Sequence, residues 1–382
     1  MRTGRHLTRA RVALAATVVA IVTTALLAGF RVARYDVAPD GPDATDSELI
    51  TNDVVGIRTF APGDSVTVTT DIGYGTQPDG ARLTLDVCLP TPPGSTATPA
   101  PAASAGPASA GPADAGTAFV GAADAGATES ASTVVPGTAA ADKAAASAVE
   151  PALLPAVISV HGGSWARGDK GNSGWRLVCQ WLASEGFVAF SVNYRLVPDA
   201  VFPAAIDDLQ LAVEWMREPG NAEEYGIDPD RIGAFGGSAG GNLVALLGAS
   251  GRGALTTDAR VAAVAELSGP VDLRATGLVN AVDGLTRITQ AYLGCEDIRR
   301  CAPSVDASAS SRLDRSDPPV FIGTSSDEFI PASQSIEFAA QLGSLGIRHE
   351  LVVVPGDLHS IGILDEEMRA RVAEFLHAEL GW

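Results

Sequence analysis

From about residue 153 onward, short apolar runs alternate with stretches whose apolar positions recur at helical spacing. Residues 155–160, 231–235, 319–323 and 350–354 are mostly apolar runs of strand length. Such runs fit strands buried on both faces, as in a parallel sheet. Leu243, Val244, Ala245, Leu246 and Leu247 follow one of these runs closely and predict the buried face of a helix. Further toward the N-terminus, residues 66–71 and 82–89 flank Pro78, Asp79 and Gly80, which predicts a hairpin. Strands alternating with helices imply a mostly parallel sheet of about eight strands, with helices on both faces. Residues 273–312 interrupt the alternation and predict a small cap, with its helix over 285–293.

Two stretches stand apart from this pattern. Residues 12–30, bounded by Val12 and Phe30, form an apolar run without charged residues, preceded by Arg2, Arg5, Arg9 and Arg11. As a helix the run measures about 28 Å, close to the roughly 30 Å of a bilayer core. No small-x-small cleavage site is evident near Ala28, and Arg31 and Arg34 follow. Residues 1–35 therefore read as a signal anchor, with a cleaved signal peptide as the alternative. Either one exports the remainder, as a membrane-tethered or a secreted protein. Residues 91–152 are dominated by Ala, Gly, Pro, Ser and Thr and show no sustained period, the composition of a disordered insertion. Enlarging a short loop to about sixty residues costs only roughly 2 kcal/mol of closure entropy. The 382 residues thus reduce to the N-terminal segment, an acidic spacer over 36–64, and one domain over 65–382 interrupted at 91–152.

The net charge of −19 argues against nucleic acid or another polyanion as partner. Much of the acidity lies in the spacer, at Asp36, Asp40, Asp43, Asp46, Glu48 and Asp53. The sequence does not specify an oligomeric state.

The chemistry concentrates at two strand ends. Gly236-Gly237-Ser238-Ala239-Gly240 joins the 231–235 run to its helix. A serine on so tight a strand-to-helix turn has a strained backbone and small neighbours, and its hydroxyl is pushed out beyond the sheet edge. A phosphate-cradling turn would instead place a lysine just after the glycines, where this chain has Gly241 and Asn242. The run 155–160 ends in His161-Gly162-Gly163-Ser164-Trp165. Gly162 and Gly163, with the N–H of Ala239, are candidate donors for an oxyanion hole. Trp165 lines or supports the pocket.

These motifs resemble the α/β-hydrolase superfamily, and within it the esterase branch that carries H-G-G-x-W. That branch includes bacterial hormone-sensitive-lipase-like esterases, feruloyl and acetyl-xylan esterases, and kynurenine formamidases. Residues 191–196, 202–208, 212–216 and 228–233 are similar to the family's segments before the nucleophile. The resemblance implies an α/β-hydrolase fold and a serine nucleophile, with acid and base following in the order Ser, Asp, His. Asp327, in the loop after the 319–323 run, matches the family's acid position, with Glu328 and Asp272 as alternatives. His359 follows the last strand, where the family keeps its histidine. Ser360 stands after it, where the family often has glycine.

The expected triad is therefore Ser238, Asp327 and His359, acting on a small or medium carboxylic ester without metal or organic cofactor. The partner is a small-molecule, carbohydrate or lipid ester. Amide cleavage of the kynurenine-formamidase kind, and a catalytically inactive binding or adhesion role, remain alternatives. In an exported protein Cys295 and Cys301 are close enough in sequence to form a disulfide. Cys88 and Cys179 would pair only if their strand and helix meet, and buried free thiols suit them equally well or better.

Overall fold

The computed structural model describes residues 55–77, 80, 82–91 and 152–381. The expected N-terminal anchor over 1–35, most of the spacer and nearly all of the 91–152 insertion lie outside the described residues. Among the described residues, no helix is long and apolar enough to cross a membrane.

The strands are β1 (Val66–Thr76), β2 (Arg82–Pro90), β3 (Leu154–Val160), β4 (Val188–Val192), β5 (Ile227–Gly237), β6 (Ala263–Leu267), β7 (Val320–Ser325) and β8 (His349–Val354). The helices are α1 (Ser173–Ser184), α2 (Ala204–Arg217), α3 (Pro219–Tyr225), α4 (Ala239–Gly248), α5 (Asp283–Leu293), α6 (Pro303–Asp306), α7 (Ala332–Leu345) and α8 (Glu366–Leu380). One eight-stranded sheet runs in the order β1-β2-β4-β3-β5-β6-β7-β8. The β1–β2 and β2–β4 pairs are antiparallel, and every other pair is parallel. The chain steps outward from β3 first to β4 and then back across to β5, so the sheet has a switch point at β3. In open α/β sheets, ligands bind beyond the carboxyl ends of the strands beside such a point.

The apolar runs are continuous because successive residues enter opposite cores. Ile158, Ala234 and Ile322 pack with Leu209 of α2 and Leu243 of α4. Their neighbours Val157, Phe235 and Phe321 pack on the other face with Trp181 of α1 and Phe375 of α8. Helices thus cover both faces, as the alternation predicts.

Two details differ from the sequence reading. The domain begins before residue 65: Gly56 and Ile57 are buried in a short 3-10 turn, and Arg369 of α8 donates to Thr59 Oγ1 at 2.9 Å. Gly56 has a φ of 56°, and a Cβ there would lie 2.6 Å from the carbonyl carbon of Gly362, so the turn is seated directly on the loop after β8. Cys88 and Cys179 are also not free thiols. Helix α1 lies across β2 and β4, which brings the two Cα atoms to 5.8 Å and joins the sulfurs in a disulfide. Cys295 and Cys301 are bonded as expected, with Cα atoms 5.6 Å apart.

Candidate active site

Ser238 occupies the turn between β5 and α4 with φ 57° and ψ −122°, a conformation costly for any residue with a side chain. Close packing holds it there. A Cβ at Gly236 would lie 2.6 Å from the carbonyl carbon of Gly240, and one at Gly240 would lie 2.7 Å from the carbonyl oxygen of His161. The Ser238 N–H donates to Leu267 O at 2.8 Å, which ties the turn to the end of β6. Ser238 precedes α4 at the position where a serine commonly caps a helix, yet its side chain makes no capping bond. The residue is partly exposed. Ala239 begins α4, where the backbone N–H has no acceptor within the helix.

The loop after β3 is folded against this turn. A Cβ at Gly162 would lie 2.8 Å from the carbonyl oxygen of Gly237 and 3.1 Å from Ser238 Cβ, so glycine lets the loop approach the nucleophile turn this closely. Gly163 has a φ of 127°, and its carbonyl accepts from the N–H groups of Ala166 and Arg167 at 3.1 Å each. His161 supports the loop from beneath. Its ring stacks on Tyr194 with centroids 4.4 Å apart, and Tyr194 Oη donates to His161 O at 2.8 Å. Burial holds the His161 pKa below the usual imidazole range, which keeps the ring neutral. Trp165 is fully buried and stacks on Tyr292 of α5, with centroids 4.3 Å apart, so it anchors this loop to that helix.

The carboxylate partner of His359 departs from the sequence reading. His359 Nδ1 bonds Glu328 Oε2, not Asp327. Asp327 is exposed; its N–H donates to Gly356 O at 2.9 Å, and its carboxylate accepts from Ser326 Oγ at 2.6 Å. The reason is the length of β7, which continues to Ser325, two residues past Gly323. The turn then points Asp327 outward and Glu328 inward, where the Glu328 side chain is completely buried. Three donors hold its other oxygen, Oε1: Thr324 Oγ1 at 2.7 Å, the Ser325 N–H at 2.8 Å and Ser268 Oγ at 2.8 Å. Asp272, the remaining alternative, is paired with Arg274 at 2.7 Å.

A carboxylate only accepts, so the Nδ1 beside Glu328 carries the proton and Nε2 is left as the basic nitrogen. The His359 side chain is 31% exposed. The next residue, Ser360, packs on the nucleophile turn: a Cβ at Gly237 would lie 3.3 Å from Ser360 Cβ. The Ser360 N–H donates to Ser268 Oγ at 2.9 Å. Ser268 thus joins the acid to the histidine loop through one hydroxyl, a link not foreseen from the sequence. Beside it, Glu266 of β6 is fully buried. Its Oε2 accepts from the Gly269 N–H at 2.7 Å, while Oε1 finds no partner among the described residues. Burial raises its pKa to about 8. No group of three or more His, Cys, Asp or Glu side chains suited to a metal ion occurs among the described residues.

The sheet with its switch point, the strained serine after β5, and the carboxylate–histidine pair after β7 and β8 define an α/β-hydrolase of the esterase branch. The chain belongs to the BD-FAE family, whose model matches residues 145–342. It is 44% identical over 97 residues to bovine arylacetamide deacetylase, covering 25% of this chain and 24% of that protein. It is 30% identical over 242 residues to esterase LipC of Mycobacterium tuberculosis, covering 59% of this chain and 56% of that protein. The chain therefore matches about a quarter of the first relative's length and little more than half of the second's. Among solved structures, a truncated carbohydrate esterase from gut microbiota superposes with a TM-score of 0.60 at 21% identity, covering 84% of this chain and 99% of that one. An acetyl ester-xyloside bifunctional hydrolase from Caldicellulosiruptor lactoaceticus gives 0.52 at 26% identity, covering 60% of this chain and 84% of that one.

Proposed function

We propose that this chain is a serine carboxylesterase that hydrolyses small to medium esters through an acyl-enzyme on Ser238. The observation that carries this reading is the Glu328–His359 pair, whose next residue, Ser360, packs on the strained turn of Ser238, a serine whose side chain makes no capping bond. His359 Nε2 takes the Ser238 proton as Oγ attacks the ester carbonyl carbon. The N–H groups of Gly162, Gly163 and Ala239 stabilise the negative oxygen, and Glu328 stabilises the imidazolium. When the tetrahedral intermediate collapses, the C–O bond to the alcohol breaks and the departing oxygen takes the proton from His359. Water then enters, loses a proton to His359 and releases the carboxylic acid, which returns Ser238 to its starting form. Every step uses side chains and backbone of this chain, with no metal or organic cofactor. The names of the relatives, esterases and a deacetylase among them, agree with this chemistry.

The catalytic domain acts outside the cytoplasm, tethered by residues 12–30 or released if that segment is cleaved. The two disulfides support this placement, because such bonds persist mainly in oxidising compartments. A hydrolysis panel of acetyl, butyryl and octanoyl esters, acetylated and feruloylated sugars, and N-formylkynurenine tests the activity. Turnover of the shorter esters, abolished by Ser238→Ala, is expected. Turnover of none of them above the Ser238→Ala background would refute it, and turnover of N-formylkynurenine alone would make the chain an amidohydrolase.

A further inference from the structure

The residue after the acid is Phe329, and nothing in the mechanism above uses it. Its ring meets His359 edge-on, with centroids 6.2 Å apart and planes at 77°. It is 39% exposed, so its ring is accessible beside His359. Its other edge borders α5: a Cβ at Gly284 would lie 3.5 Å from Phe329 Cε2. Ile330 is buried with Leu278 and Leu285, which fixes the acid loop against the cap and therefore fixes Phe329 in place.

His359 is the group that returns the proton to the departing alcohol, so the alcohol portion of the ester leaves beside the His359 ring, at its Nε2 edge. We propose that Phe329 forms an apolar subsite for that alcohol, and that the enzyme selects esters of alkyl or arylalkyl alcohols over esters of sugars. This inference rests on the esterase reading and adds the class of leaving group to it. A sugar hydroxyl placed there would lose hydrogen bonds to water and gain few partners, whereas an apolar group would gain buried area.

The test compares wild type, Phe329→Ala and Phe329→Leu on three acetates that share one acyl group: ethyl acetate, 2-phenylethyl acetate and an acetylated methyl xyloside. Ethyl butyrate reports the acyl side. The inference predicts that wild type has a higher kcat/KM for 2-phenylethyl acetate than for the xyloside. In Phe329→Ala, the ratio of kcat/KM for 2-phenylethyl acetate to that for ethyl acetate should fall about tenfold. Phe329→Leu should recover most of that ratio, and the ethyl butyrate to ethyl acetate ratio should stay constant in all three proteins. An equal loss on every ester would show that Phe329 merely steadies His359 and would overturn the inference. So would a wild-type preference for the xyloside. Failure of folded wild type to cleave any ester would refute the esterase reading itself, a result distinct from both.

Discussion

Ser268 Oγ donates to Glu328 Oε1 at 2.8 Å and accepts the Ser360 N–H at 2.9 Å, so one buried hydroxyl holds both the acid and the loop that carries His359. Ser268 has a φ of 54°, a strained value retained by its place at the end of β6. Ser268→Ala should lower kcat about tenfold while leaving KM nearly unchanged, because the hydroxyl positions the pair without touching substrate. A change confined to KM would contradict this role.

Glu328 and Asp327 differ by one position, and their substitutions should differ by orders of magnitude. Glu328→Ala removes the group that orients the His359 tautomer, and kcat should drop about 10³- to 10⁴-fold. Asp327→Asn should keep kcat within about threefold of wild type. Steady-state kinetics on one short-chain ester decide the matter, and a larger loss at Asp327 would return that residue to the triad.

Glu266 makes stability depend on pH. Burial raises its pKa from 4.5 to about 8 in the folded protein. The native state therefore keeps its proton over a range in which the unfolded chain releases it. The resulting stabilisation is fully present below about pH 4.5 and is lost as pH rises through about 8. Glu266→Gln is neutral throughout and preserves an oxygen for the Gly269 N–H. Relative to the variant, wild type should lose on the order of 2–4 kcal/mol between pH 4.5 and 8. Urea denaturation at several pH values measures the difference, and parallel curves would mean that Glu266 is ionised in the fold.

The Cys88–Cys179 bond spans 91 residues of sequence and the Cys295–Cys301 bond spans 6. Loop-entropy reasoning gives roughly 4–5 kcal/mol for the first and about 2 for the second. Cys88→Ala with Cys179→Ala should accordingly lower the thermal midpoint more than Cys295→Ala with Cys301→Ala. Equal shifts, read by calorimetry under non-reducing conditions, would contradict this ranking.

How much the sequence reveals follows from how local each constraint is. The Ser238 turn is legible because the required small residues, Gly236 and Gly240, are neighbours of the serine itself. The position of His359 is legible because it follows directly on β8. Glu328 is harder, since the choice between adjacent carboxylates depends on where β7 ends and on donors from Thr324, Ser325 and Ser268. The Cys88–Cys179 pair depends on α1 crossing β2, and the buried turn at Gly56 depends on its contact with the loop after β8. Neither contact leaves a mark on the nearby sequence. Trp165 carries a family motif, but only the fold shows that it is stacked on Tyr292 beneath the surface.

Covalent capture tests the central claim most directly. A fluorophosphonate incubated with folded protein should add one phosphonyl group, mapped by mass spectrometry to Ser238. Labelling should vanish in Ser238→Ala and slow sharply in Glu328→Ala, while Asp327→Asn labels like wild type. Folded wild-type protein that takes no label, or takes it at another residue, would contradict the assignment of Ser238 as a nucleophile activated by His359 and Glu328.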